Sequence, residues 1–368
     1  MNRRRVAVLG STGSIGRQAL EIISREPGLA LHSIVCRSST GLLSEQMAEY
    51  SPAIAGAVEP QEAPPAGVFT GEHAVDRAME EADVVLNAIV GSAGLRASLL
   101  AQKTGKPLAL ANKESLVVGG DLLREHLTSG AVIPVDSEHS TIFRCLLGED
   151  RGVSSITLTA SGGSCRSMTP EEVRTAGPER ILRHPTWNMG ARITVDSASM
   201  VNKAFEVIEA RWLFPDVPVN AVIHPQSIVH SLVRLQDGSW KALLGEPDMR
   251  IPIQFALQYP AGRLRAVADD GPLDWGTLEF RELDPAKYPS FRIVLEAAEM
   301  GKSYPAAVNA ADEVAVRAFL EGRIDFGRIP HILDRVIELH RPVELTDLQD
   351  VLEADSRARE LAERTVNE

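Results

Sequence analysis

The sequence is poor in cysteine and in aromatic residues, and it has no long apolar run. Cys36, Cys145 and Cys165 stand alone, without Cys-x-x-Cys spacing. That excludes a disulfide framework and a zinc knuckle and fits a reducing compartment. No stretch of about 18 apolar residues occurs, so no membrane-spanning helix is expected. Arg3 to Arg5 resemble the start of a secretion signal, but the apolar run after them stops at Gly10, too short for such a signal. A cytoplasmic protein is expected. Positive charge is also in deficit: 38 Lys and Arg face 50 Asp and Glu, a formal charge of −12. A nucleic-acid partner, which needs a basic face, is therefore not expected. A small local anion site is still compatible with that balance. The remaining composition, 44% apolar and 24% charged over 368 residues, is that of a globular chain long enough for two or three domains.

What is present begins with RRRVAVLGSTGSIGRQALEII, residues 3–23. Val6 to Leu9 form a strand-length apolar run. Gly10, Gly13 and Gly16 follow, three apart. Ala19, Leu20, Ile22 and Ile23 then recur as one face of a helix. Glycines at such a junction let the backbone approach a ligand, and the free N–H groups of the helix start attract an anion. The spacing is GxxGxxG, a variant of the commoner dinucleotide-binding turn. No Gly-Lys-Ser/Thr follows, which excludes a Walker A loop. The second strand, Leu29 to Val35, ends in Cys36-Arg37-Ser38-Ser39 with no acid for a ribose 2′-hydroxyl. Arg37 and two hydroxyls suit a 2′-phosphate, so NADPH is favoured over NADH.

Strands then alternate with helical stretches up to about residue 140. Further strands are expected at 83–90, 107–111 and 131–135, implying a parallel doubly wound sheet. Residues 60–67 read as an insertion loop. From about 152 the pattern changes, with strands expected at 155–159, 191–195, 221–223 and 228–235. The expected divisions are a nucleotide domain over 1–150, a central α+β domain over 151–260, a proline-rich linker over 261–290 and a helical bundle over 291–368.

Three strands in succession run into polar segments: ANKES after 107–111, DSEHS after 131–135, and SGGS after 155–159. In open α/β sheets ligands sit at such carboxyl ends. Asp136 and Glu138 are two apart and, in an extended chain, point to the same side. Glu206 and Glu209 share a helix face, as do Lys203 and Glu206. Oxygen ligands without thiolate or imidazole suit Mg²⁺ or Mn²⁺. Equally, Asp136 and Glu138 could cap a helix and Lys203–Glu206 could be a surface pair. Ser197, Ser199, Asn202 and Lys203 gather at a helix start that suits a phosphate, or Ser199 merely caps that helix. His184-Pro185-Thr186-Trp187-Asn188-Met189-Gly190 reads as a lid or as a loop tucked on the core. A semialdehyde dehydrogenase would need a nucleophilic cysteine in a suitable motif, which Cys145 lacks. A dinucleotide-sensing regulator would leave the acidic cluster unexplained.

Taken together, GSTGSIG, ANKESLV, PVDSEH, SGG, HPTWNMG, VDSASMVNKAFEVIEARWLF, IHPQSIVHS and GEPDMR closely resemble the 1-deoxy-D-xylulose 5-phosphate reductoisomerase family of the non-mevalonate isoprenoid pathway. The resemblance implies a Rossmann-like N-terminal domain, a central catalytic and dimerisation domain, a helical C-terminus and a homodimer. It implies rearrangement and NADPH-dependent reduction of a phosphorylated ketose, with Asp136, Glu138 and Glu206 on the metal. Ser137, Glu138, Ser161, His184, Trp187, Ser197, Asn202, Lys203 and Glu206 would bind substrate. Lys113, Glu138 and His184 would be catalytic. Gly10, Thr12, Gly13, Ser14, Ile15, Arg37, Ser38, Ser39, Asn112, Lys113, Glu114 and Gly190 would bind the cofactor. Three departures stand out: Ala204-Phe205 in place of Gly-Leu, Ser164-Cys165 in place of Pro-Phe, and the pair Cys36-Arg37.

Overall fold

The apolar run before the first glycine turn is the middle strand of a parallel sheet. In the computed structural model, which describes residues 3–187, 189–260 and 271–368, Val6 to Leu9 have no exposed surface. Strands β1 (Arg4–Leu9), β2 (Leu29–Cys36), β3 (Ile54–Ala57), β4 (Phe69–Thr70), β5 (Val84–Asn87), β6 (Leu108–Leu110) and β7 (Val132–Pro134) lie in the order β4-β3-β2-β1-β5-β6-β7. All pair in parallel, and the order reverses at β1/β5. A crevice outside the strand ends is expected there, and Gly10 follows β1 directly.

The helices that matter to the site are, in chain order, α1 (Ser14–Arg25), α2 (Glu114–Gly119), α3 (Ser137–Leu146), α4 (Ala191–Ser199), α5 (Val201–Leu213), α6 (Arg250–Gln258), α7 (Pro289–Met300), α8 (Tyr304–Leu320), α9 (Ile329–Leu339) and α10 (Leu348–Asn367). The described residues form two compact units that alternate along the chain. Unit one is drawn from Met1–Asn112, Leu123–Phe143 and Asp248–Asp269. Unit two is drawn from Lys113–Leu122, Arg144–Pro247 and Asp270–Glu368.

Unit one gains α6 from late in the sequence. The Arg4 guanidinium donates to Leu257 O and Tyr259 O at 3.0 and 2.6 Å. Phe143 meets Phe255 and Tyr259 edge-on, with ring centroids 6.0 and 5.3 Å apart. These aromatic contacts and the buried Ile253, Ala256 and Leu257 fix α6 onto the sheet side occupied by α1.

Unit two has a mixed sheet. β8 (Val153–Ala160), β9 (Val219–Ile223), β10 (Ser231–Leu235) and β11 (Trp240–Lys241) lie in the order β11-β10-β8-β9. β8 and β9 are parallel, and β10 runs antiparallel to β8. Its helices pack around α8, whose buried alanines 306, 307, 310, 311, 315 and 318 let neighbouring helices come close. The linker residues 261–270 and Asn188 of the His184–Gly190 segment lie outside the described residues.

Two local expectations are corrected. Residues 191–195 form the start of helix α4, not a strand. Ile193, Thr194 and Val195 favour strands, but Thr194 Oγ1 donates back to Gly190 O at 2.9 Å. Thr194, Val195, Asp196, Ala198 and Ser199 are buried on this helix, so tertiary burial overrides propensity. Asp136 and Glu138 are likewise not in extended chain. Ser140 N donates to Asp136 O at 2.8 Å, which sets Asp136 just before α3 and Glu138 in its first turn.

Candidate active site

The glycine turn of unit one is shaped by contacts that no side chain could replace. Gly10 has φ +86°, and a Cβ there would lie 2.3 Å from Ala88 O. A Cβ on Gly16 would lie 2.3 Å from Gly10 O and 2.5 Å from Ser11 Cα. Gly10 N and Ser11 N donate to Val35 O, and Gln46 Nε2 donates to Ser11 O at 2.8 Å. The turn is thus locked to β2, with Thr12, Gly13, Ser14 and Ile15 at or near the surface at the start of α1. Such a rigid turn ahead of a helix N-terminus is an anion cradle.

At the end of β2, Arg37 and Ser39 are exposed and Ser38 is partly so. The Arg37 guanidinium pairs with Glu59 Oε2 at 2.9 Å. The sequence reading found no acid on this side of the site because Glu59 follows the next strand, β3. Asn112 is buried, and its amide donates to Ile89 O and Gly91 O at 2.8 and 2.9 Å. It pins the loop after β5.

Unit one also carries the acidic pair. A carboxylate oxygen of Asp136 and one of Glu138 lie within 4.8 Å of each other, and Ser137 Oγ donates to Glu138 Oε2 at 2.6 Å. Two hard oxygen donors at that separation suit a divalent cation.

In unit two, three donors converge on one carboxylate. Lys113 Nζ lies 2.9 Å from Asn202 Oδ1 and 3.0 Å from Glu206 Oε1. Asn202 Nδ2 and Lys203 Nζ also donate to Glu206. Lys113, Lys203, Glu206 and Glu209 are all buried, so the alternative of a surface pair at Lys203–Glu206 is set aside. Two ammonium groups at a buried carboxylate hold it ionised.

β8 ends in a second cluster. His184 Nδ1 accepts the backbone N–H groups of Thr186 and Trp187, at 3.2 and 2.8 Å. A neutral ring therefore carries its proton on Nε2 and donates it to Ser161 Oγ, 3.0 Å away. Gly163 N also donates to Ser161 Oγ at 3.1 Å, leaving the serine O–H to donate outward. Burial, and then the charge of Arg166, pull the His184 pKa down to about 4. A Cβ on Gly163 would lie 2.7 Å from Ser197 O, so this loop abuts α4. Tyr288 Oη fixes it by donating to Gly162 O at 3.0 Å. Trp187 is half-buried, with its ring centroid 6.0 Å from that of His230. Gly190 is exposed at the N-cap of α4.

Sequence reasoning missed Glu59, Tyr288, and the group formed by Arg192, Asp196 and Asp312. Tyr288 lay in a stretch read as linker. Arg192 and Asp196 are four apart, a helical spacing hidden by the β-branched residues between them.

The chain matches three family descriptions in sequence. Residues 6–120 match "1-deoxy-D-xylulose 5-phosphate reductoisomerase", and residues 132–214 match the C-terminal domain of the same name. Residues 244–361 match "DXP reductoisomerase C-terminal domain". A reductoisomerase of that name from Thermodesulfovibrio yellowstonii is 40% identical over 99% of this chain and 100% of its own. One from Heliobacterium modesticaldum is 43% identical over 99% and 98%. The Zymomonas mobilis enzyme, solved with NADPH, superposes with a TM-score of 0.89 at 35% identity, covering 99% of both chains. A reductoisomerase solved with NADPH, fosmidomycin and magnesium gives 0.89 at 33% identity, covering 99% of this chain and 98% of its own.

Proposed function

The chain belongs to the 1-deoxy-D-xylulose 5-phosphate reductoisomerase family, and from that membership we propose how its own residues carry out the family's reaction. It converts 1-deoxy-D-xylulose 5-phosphate to 2-C-methyl-D-erythritol 4-phosphate with NADPH and Mg²⁺ or Mn²⁺. The observation that carries this reading is the 0.89 TM-score, over 99% of the chain, to a reductoisomerase solved with NADPH, fosmidomycin and magnesium.

The residues fit both groups. The Gly10 and Gly16 positions admit no Cβ, as a backbone cradle for a pyrophosphate requires. Thr12, Gly13, Ser14 and Ile15 supply its N–H and hydroxyl donors, with Arg37, Ser38 and Ser39 toward the 2′-phosphate and Asn112, Lys113, Glu114 and Gly190 completing the cofactor set. Asp136, Glu138 and Glu206 are the metal ligands, all carboxylates, the donor type a hard cation selects. Lys113 and Lys203 keep Glu206 in the ionised form that binds metal. When bound, the cation polarises the substrate's oxygens and NADPH supplies the hydride.

The chain does the rest. Ser161, with its hydroxyl turned outward by His184 and Gly163, joins Ser137, Ser197, Asn202 and Lys203 in binding the substrate and its phosphate. That phosphate is remote from the bond changes, so its binding energy can draw the His184–Trp187 segment over the substrate and exclude water. Lys113 and Glu138 act at the reacting carbons.

A homodimer in the cytoplasm is part of the same reading. Its support is the exposed Trp240 on β11 together with the exposed Leu244, apolar surface that a second copy of the chain would cover. Among the described residues, no helix is long and apolar enough to cross a membrane.

The test mixes the protein with NADPH, Mg²⁺ and 1-deoxy-D-xylulose 5-phosphate and follows NADPH absorbance. Oxidation abolished by EDTA and restored by Mg²⁺ is expected. Folded protein that binds NADPH but shows no oxidation would overturn the reading.

A further inference from the structure

A buried charge cluster in unit two lies outside the residues assigned above to metal, substrate and cofactor, apart from Glu114 of the cofactor set. Its hub is Arg192, two residues after Gly190 on α4. Arg192 Nη1 donates to Glu313 Oε1 on α8 at 3.0 Å and lies 3.6 Å from Glu114 Oε1 on α2. Arg192 Nε is 3.6 Å from Asp196 Oδ2, one turn along α4. Its Nη2 is 3.8 Å from Asp312 Oδ2 on α8. Glu313 is also bound by Arg359 of α10 at 2.7 Å, and Arg359 in turn binds Asp355.

Five carboxyl groups thus gather round two guanidinium groups. Asp196 is 5% exposed and Asp312 is 0% exposed. So many buried negative charges are costly unless a proton is held among them. Neither Asp312 oxygen nor Asp196 Oδ1 has a hydrogen-bond partner of its own among the described residues, and a proton shared between the two carboxyls would supply one. Burial raises both carboxyls, Asp196 to about 7, and Arg192 pulls the other way.

The three elements that Arg192 joins all carry or support active-site residues. Lys113 is the N-cap of α2. α4 carries Ser197 and begins where the Trp187 segment ends. α8 backs both α2 and α4. A planar guanidinium presents its donors in a fixed fork: Nη1 bonds Glu313, while Nε and Nη2 make no hydrogen bond among the described residues and face Asp196 and Asp312 at ion-pair distance. We propose that Arg192 is a positioning residue: by binding Glu114, Asp196, Asp312 and Glu313 together, it holds Lys113 in register with Asn202 and Glu206 and fixes the start of α4, with one proton shared between Asp196 and Asp312. This rests on the function proposed above.

The groups facing the Asp196–Asp312 pair are Arg192 from α4, Glu114 from α2 and Glu313 from α8, with Arg359 and Asp355 of α10 behind Glu313. The raised carboxyls favour the fold while protonated, and that advantage is lost as pH rises through about 7. Asp312→Asn keeps the shape and removes one of the two titrating carboxyls.

The experiment compares R192K, R192M and D312N with the parent enzyme, by NADPH oxidation and by thermal unfolding across about pH 5 to 8. R192K keeps the charge and loses the fork. It is expected to stay folded and lose about tenfold in kcat, with R192M losing more. D312N is expected to flatten the fall of Tm with rising pH. Folded R192K with the parent's kcat, or D312N whose Tm follows the parent's pH dependence, overturns the inference. If R192M does not fold, R192K and D312N still decide. A parent that oxidises no NADPH defeats the proposed function instead, and the D312N unfolding curve still tests the shared proton.

Discussion

Lys113 Nζ lies 3.0 Å from Glu206 Oε1, with both side chains buried. The two residues are 93 positions apart, one at the start of α2 and one on α5. With Lys203 donating to the same carboxylate, two ammonium groups meet at one buried negative charge. Glu206→Gln removes a charge that both buried cations bind. A loss of about 3 kcal/mol is expected, together with loss of turnover and of Mn²⁺ binding. Urea unfolding and metal titration of the variant check both. An unfolding midpoint equal to the parent's would contradict the ion-pair account.

The His184 ring is held neutral. Its pKa, about 4, lies below that of a free imidazole, so the fold favours the uncharged form. The resulting stability is present above about pH 6.5 and is lost as pH falls toward 4. Ring proton chemical shifts should give a midpoint near 4, and a midpoint near 6.5 would rule the arrangement out. His184→Phe removes the donor to Ser161 and should raise KM for the ketose phosphate about tenfold.

Gly16→Ala tests the glycine turn. The added methyl would meet Gly10 O and Ser11 Cα, forcing α1 off the turn. A cost of about 2 kcal/mol is expected, with NADPH affinity weakened at least about tenfold. Fluorescence titration with NADPH measures it, and unchanged affinity would remove the turn from the cofactor site.

The Arg37–Glu59 pair is exposed on both sides, 75% and 62%. A 2′-phosphate must compete with Glu59 for the guanidinium. Glu59→Gln should therefore lower KM for NADPH about twofold at low salt, with the difference vanishing at high salt. A variant whose KM rises, or whose effect ignores salt, would place the 2′-phosphate elsewhere.

The alternation of short apolar runs with helical stretches up to residue 140 made the parallel sheet readable, because period and length separate strands from helices locally. The same local logic misread residues 191–195. Three β-branched residues outvoted the pairing of Arg192 with Asp196, and only burial against α8 shows which face of that segment is inside. The ligand types of Asp136, Glu138 and Glu206 were plain from residue chemistry, while the helical start that holds the first two was one of two readings that local pattern left open.

By itself, the sequence determined the chemical inventory: a glycine turn before a helix, oxygen donors for a hard cation, and ammonium, amide and hydroxyl groups for a phosphate. Spacing and side-chain chemistry are local properties, so they survive without coordinates. Tertiary structure alone decided how distant segments combine. It placed α6, some 250 residues downstream, with β1, tied Tyr288 to Gly162, and gathered Arg192, Asp312 and Arg359 into one cluster. Those pairings depend on which buried surfaces meet once the chain has closed, and no local pattern carries that information.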